Sequence, residues 1–292
     1  MVTLTKTGHP PFTLYSIETG RFQLDGGAMF GVVPKTLWSR QIESDEKNRI
    51  TMAMRCLLIT SEATGRTYLI DNGSGHKFDE KFSSIYGFDY EHSTLEGSLK
   101  QQGFSTADIT DVIFSHLHFD HCGGTTRLNE EGHLEHVFPN ANYWVVKSHW
   151  ETAMDPNARE RSSFFPENLV PISDSGRLNL VEPGHVYEEG LTNVVMNGHT
   201  IGQQLPVIHL NGKRLIFVAD LLPTHIHIPL PWIMGYDMYP ATTLEEKEEF
   251  LAGCTDGKTF LFFEHDADCE VGTVVKEGKN YQIGQKLTLG DI

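Results

Sequence analysis

The chain has 292 residues, with 23 Lys and Arg against 39 Asp and Glu, a formal net charge of −16 and 39% hydrophobic side chains. That length buries a sizeable core without staples, and the acidic balance with no basic run argues against nucleic acid or an anionic membrane as partner. Four scattered cysteines (Cys56, Cys122, Cys254, Cys269) form no C-x-x-C pair and read as free thiols; with no signal-peptide pattern and no long apolar span, a cytoplasmic protein is expected.

In chain order, "FTLYSIETGRFQLD" suggests an early strand pair, and "MRCLLIT" and "TYLIDNG" flank a glycine-containing turn, which reads as a hairpin. Ser93 to Gly103 has an N-cap, Leu95 and Leu99 at i and i+4, and a closing glycine, so it is expected to be helical. "DVIFSH" reads as a buried strand, and "ANYWVVKSHW" as a strand running into a helix near Ser148. "LTNVVMNGH" is a further strand; then Val207–Leu210 and Leu215–Val218 flank Asn211-Gly212, a strong hairpin signal because both residues tolerate positive φ. In "THIHIP" the alternation of His225 and His227 suits a half-exposed strand. "ATTLEEKEEFLAG" carries two overlapping capping boxes, Thr242 with Glu245 and Thr243 with Glu246, and is read as a helix starting there. "TFLFFEHD" is a strand, and a weaker hairpin follows Val271. With no linker, charge block or repeat, one domain over residues 1–292 is expected, of class α+β: two mixed sheets flanked by helices rather than a doubly wound parallel sheet.

The stretch "SHLHFDHCGG" from Ser115 to Gly124 concentrates three histidines and an aspartate behind an apolar strand. The chain holds 15 histidines, yet a random chain of this composition would show H-x-H-x-D-H only about two times in a thousand. Imidazole and carboxylate suit zinc, iron, manganese and cobalt, and six or seven such donors would support two metals. His116 and His118 can share one direction while Asp120 and His121 turn to an adjacent position, so that one segment feeds two neighbouring metals. Three more candidates end strands: His199, Asp220 and His265. The hairpin at Asn211-Gly212 returns the chain close to where it left, bringing Asp220 beside His199.

This set resembles the metallo-β-lactamase superfamily of metal-dependent hydrolases, on "HLHFDH", "GHTIGQ", the Asp220 of "VADLL" and the His265 of "FEHD". The resemblance implies the αββα sandwich fold, a first metal on His116, His118 and His199, a second on Asp120, His121 and His265, and Asp220 bridging both. Asp71 in "LIDNG" matches a supporting aspartate, although a turn role fits it equally. "LDGGAMFGVVPKTLW", "FPNANYWV", "DPNARERSSFFPEN" and "ADLLPTHIHIPLPWIMGYD" are similar to the subgroup of quorum-quenching lactonases.

Two such cations, zinc first with cobalt, manganese or iron as alternatives, can share a water and lower its pKa from 15.7 to about 7, supplying hydroxide for attack on a carbonyl. Asp120 and Asp220 are the expected catalytic carboxylates, Asp120 carrying the proton from nucleophile to leaving group. Apolar loops bearing Phe30, Trp232 and Tyr236 suit a cleft for an acyl or aromatic group, so the expected partner is a small molecule with an apolar part; the same residues would also serve a homodimer contact. The expected reaction is hydrolysis of a lactone or related ester, N-acyl-homoserine lactones among them. One departure stands out: the lactonases place a tyrosine three residues beyond the bridging aspartate, where this chain has Pro223, leaving Tyr236, Tyr239 or His225 as substitutes. Phosphotriester or thioester hydrolysis is the alternative, and a mono-iron sulfur dioxygenase the alternative from another class.

Overall fold

The computed structural model describes the backbone pairing of Val2–Thr3 and the whole of residues 12–292. Among the described residues, seven strands form one sheet: β1 (Val2–Thr3), β2 (Phe12–Asp25), β3 (Arg49–Ser61), β4 (Thr67–Ile70), β5 (Asp111–Ile113), β8 (Asn142–Val146) and β9 (Leu178–Val181). Between β5 and β8 lies a separate small hairpin of β6 (Thr126–Leu128) and β7 (Leu134–His136). The second sheet also has seven: β10 (Val186–Glu188), β11 (Leu191–Met196), β12 (Gln203–Leu210), β13 (Lys213–Phe217), β14 (Thr259–Phe262), β15 (Val271–Glu277) and β16 (Asn280–Leu287). Both sheets are mixed: β4, β5, β8 and β9 run parallel within the first, β13 and β14 within the second, and the remaining neighbours are antiparallel. Among the described residues no helix is long and apolar enough to cross a membrane.

Side-chain alternation along β3 explains the layering. Leu57 and Ile59 join Leu205, Leu215 and Phe217 between the sheets, while Cys56 and Leu58 turn to the other face, against Leu95, Leu99, Leu169 and Ile172 beneath the helices. The result is the αββα sandwich expected from the resemblance.

Most expected elements form, with three corrections. Residues 12–25 make one long strand rather than a pair, because Gly20, at φ 137°, serves a bulge in the β2–β3 ladder instead of a turn. His225–His227 is a single 3-10 turn, not a strand. The helix Pro240–Ala252 begins ahead of its threonines, with proline at its first position, so neither capping box forms. Glu246 instead accepts from the backbone N–H groups of Asn197 (2.8 Å) and Gly198 (2.9 Å), anchoring the loop that bears His199. At the expected hairpin, Asn211 and Gly212 take φ of 50° and 79°, the twist-compatible turn that these two residue types allow.

The parallel strands decide where chemistry can sit. β4, β5, β13 and β14 all end at one rim, and the residues following them are Asp71, His116, Asp220 and His265.

Candidate metal centre

Two groups of donors converge at this rim: His116, His118, His199 and Asp220 in one, Asp120, His121 and His265 in the other. All seven are buried. In the first set His118 Nδ1 lies 3.0 Å from His116 Nε2 and 3.2 Å from His199 Nε2. In the second His265 Nε2 lies 3.1 Å from His121 Nε2 and 3.6 Å from the Asp120 carboxylate. Asp220 spans the two, one oxygen 3.2 Å from His199 Nε2 and the other 3.2 Å from His265 Nε2.

The opposite nitrogen of every ring is held by an acceptor. His116 Nδ1 meets the Ser115 hydroxyl (3.1 Å), His118 Nε2 meets Glu160 (3.1 Å), and His199 Nδ1 meets Asp237 (2.9 Å). His265 Nδ1 donates to the Ala53 carbonyl (2.8 Å), and His121 Nδ1 to Asp71 (3.1 Å). These partners place the ring protons outward and aim five imidazole lone pairs inward at one another. Four-coordinate metal at about 2.0–2.1 Å separates its ligand atoms by about 3.3 Å, close to the spacings found here, so the donors fit a pair of divalent cations. The electrostatics agree. Burial alone would push the Asp220 carboxyl up, but His199, His265 and His121 hold it well below the usual carboxylate range. Burial likewise opposes charge on His265, yet Asp220 and Glu264 raise it to about 9, a demand for positive charge that a cation would meet.

Local backbone builds the cluster. Asp71 at φ 55° and Ala219 at φ 40° hold left-handed conformations unusual for residues with a side chain, next to or within the site. The turn at Asp71 points its carboxylate back to accept from the Ser115 N–H (2.7 Å) and hydroxyl as well as from His121, so it is turn residue and support at once. His149 fixes the motif from the other side: its Nε2 accepts from the Leu117 N–H (2.8 Å) and its Nδ1 donates to the Ile201 carbonyl (2.8 Å). Cys122 is a buried thiol donating to the Leu117 carbonyl (3.3 Å).

Burial depresses the His149 pKa to about 3. Between that value and the unfolded value near 6.5 the unfolded chain binds the proton and the folded chain does not, so stability falls as pH drops through this window. The variant His149→Gln, which does not titrate there, is expected to shed up to about 1.4 kcal/mol per pH unit of that dependence. Urea midpoints of both proteins from pH 7 to pH 4.5 measure it; parallel curves would refute the assignment.

Above the donors lies a cavity of about 290 Å³, whose lining includes His118, Asp120, His199, Asp220 and His265. Its apolar wall is Leu24, Met29, Tyr86, Phe119, Met234 and Tyr236, and Arg159, Ser162 and Ser163 line another part. Tyr236 is thus where a cleft residue was expected. Phe30 and Trp232 are not: Phe30 is buried against His227 (ring centroids 4.9 Å apart) and Trp38, with Trp232 edge-on to it, in a core beneath the wall. His225 is also absent from the lining, because its ring and backbone N–H are both held by Asp266.

Sequence reasoning missed Glu160, Asp237 and the buried Lys247. Lys247 donates to the carbonyls of Pro229 (2.8 Å) and Trp232 (2.8 Å), holding the segment that leads to Tyr236, and burial lowers its pKa to about 7. No spacing rule announces such partners, although both carboxylates lie in stretches already noted for subgroup similarity.

Comparison with known proteins agrees with this geometry. An N-acyl homoserine lactonase, AttM, of Rhizobium radiobacter is 31% identical over 134 residues, 44% of this chain and 47% of the relative, so the match spans about half the relative's length. The solved structure of a probable metal-dependent hydrolase from Staphylococcus aureus superposes with a TM-score of 0.84 at 30% identity, covering 97% of this chain and 100% of the other. AidC, a dizinc quorum-quenching lactonase, superposes with a TM-score of 0.78 over 99% of both chains at 20% identity, a likeness of fold. The sequence model of the metallo-beta-lactamase superfamily matches residues 55–253, and the chain belongs to that superfamily.

Proposed function

We propose that the protein is a dinuclear metal-dependent hydrolase that opens a lactone or related ester bearing an apolar group, N-acyl-homoserine lactones being the leading candidates and zinc the leading metal. The observation that carries this reading is the Asp220 carboxylate reaching into both donor sets at the base of a cavity with an apolar wall. Cations bound there would lower the pKa of a shared water and polarise the substrate carbonyl.

The chain's own groups supply the rest. Asp120 stands in the second set and also lines the cavity, which supports a role in which its carboxylate orients the attacking water, takes its proton and delivers that proton to the departing alkoxide as the ring C–O bond breaks. Tyr236, exposed along the cavity wall, offers a phenol that is protonated at neutral pH, and it takes the donor role that Pro223 cannot. Leu24, Met29, Phe119 and Met234 exclude water around the apolar part of the substrate.

Elemental analysis together with turnover on a panel of lactones, thioesters and phosphotriesters tests this. Two equivalents of zinc or cobalt and a preference for acyl lactones are expected; one iron with oxygen consumption would overturn the reading. Within the same panel Tyr236→Phe is expected to lower kcat by about a hundredfold with metal content unchanged, the cost of one hydrogen-bond donor lost from the transition state. Full activity of that variant would remove Tyr236 from the mechanism.

A further inference from the structure

Behind the second donor set, away from the cavity, His121 Nδ1 faces two carboxylates at once: Asp71 at 3.1 Å and Glu264 at 2.9 Å. The two differ in what else they touch. Asp71 is occupied by the Ser115 N–H and hydroxyl. Glu264 is fully buried, and neither of its oxygens makes a well-aligned hydrogen bond with any described residue; the off-line approach to His121 is its close polar contact. Its position is imposed by the backbone: the Glu264 carbonyl accepts from the Arg55 N–H (3.1 Å) and the His265 carbonyl from the Ala53 N–H (2.9 Å), fixing the segment on both sides of the side chain.

A buried carboxyl group without donors of its own is costly and needs a compensating partner nearby. Among the described residues each histidine of the first set has a single outer partner, whereas His121 has two acidic ones, so the two sets are built unequally. We infer that Glu264 is a positioning residue for the second cation: acting through His121, it sets the affinity of the Asp120–His121–His265 set independently of the first. The inference rests on the two-metal reading above.

The test counts metal rather than turnover. Zinc-loaded protein is dialysed against a graded series of chelator concentrations and its zinc measured by elemental analysis; cobalt-loaded protein is followed by its visible absorption. Wild type is expected to hold two equivalents. Glu264→Gln, of the same shape but unable to ionise, is expected to keep one equivalent at wild-type affinity and release the other at 10- to 100-fold lower chelator concentration, the usual loss on removing an outer partner of a metal-bound histidine. Glu160→Gln is the control, since it loosens His118 and is expected to weaken the first equivalent. Should Glu264→Gln fail the circular dichroism check for folding, Glu264→Asp, which keeps the charge but draws it away from His121, reads the same selectivity. Two equivalents retained at wild-type affinity, or both lost in parallel, would overturn the inference. Fewer than two equivalents in wild type would instead overturn the two-metal reading beneath it.

Discussion

Asp220→Asn is expected to lower kcat/KM by about three orders of magnitude or more and to release metal, although the amide has nearly the shape of the carboxylate. Asp220 is buried, and its two oxygens lie 3.2 Å from His199 Nε2 and 3.2 Å from His265 Nε2. One of those oxygens, Oδ1, has no aligned hydrogen-bond partner among the described residues, as suits an atom meant for a cation. The amide removes one negative charge from both donor sets at once and turns one end into a donor facing imidazole lone pairs. Breaking a buried charge pair costs about 3–5 kcal/mol, and about 1.4 kcal/mol is tenfold, so a loss of two to nearly four orders follows from one cation and more from two. Metal content and kcat/KM measured on one preparation separate the charge effect from unfolding. A variant with two metals and turnover within tenfold of wild type would remove Asp220 from the bridging role.

The donors were legible because each follows an apolar run, and strand ends are where a sheet presents loops. His116 to His121 could be read from spacing, and Asp220 beside His199 from the Asn211-Gly212 turn, since both are consequences of local geometry. What lay beyond reach was contact between distant segments. Glu160 meets His118 across 42 residues, Asp237 meets His199 across 38 and Glu264 meets His121 across 143, and an isolated Asp or Glu carries no mark of its partner. The errors have the same source. The capping boxes at Thr242 and Thr243 were sound as local chemistry, but proline at position 240 starts the helix earlier, and tertiary structure spends Glu246 on the His199 loop. Phe30 and Trp232 were correctly apolar and near the site, yet composition cannot say whether an aromatic ring faces the cavity or the layer under it.

Gly123→Ala is expected to destabilise the fold by about 3 kcal/mol or more and to cost the second cation, despite placing a better helix former at a helical backbone position. Gly123 has φ −63° and ψ −29°, angles open to any residue, so backbone freedom is not the reason for glycine here. Space is. A Cβ at Gly123 would overlap the Ser74 carbonyl and lie 2.8 Å from the Ser74 Cα, and one at Gly75 would lie 2.6 Å from the Gly123 oxygen. These are backbone atoms, and the two loops cannot part freely: Asn72 N–H donates to the His121 carbonyl (2.9 Å) and Gly124 N–H to the Gly73 carbonyl (2.9 Å). One loop begins with Asp71 and the other carries His121, so separating them draws His121 away from His265, while His118 and His199 of the first set stay tied through Glu160 and Asp237. Gly253→Ala is the matched control, with φ −76° and only ordinary van der Waals contacts around a new Cβ. Denaturant midpoints and zinc content decide the matter. If Gly123→Ala matched Gly253→Ala in both, the paired glycines of "HCGG" would have no role in bringing the second donor set together.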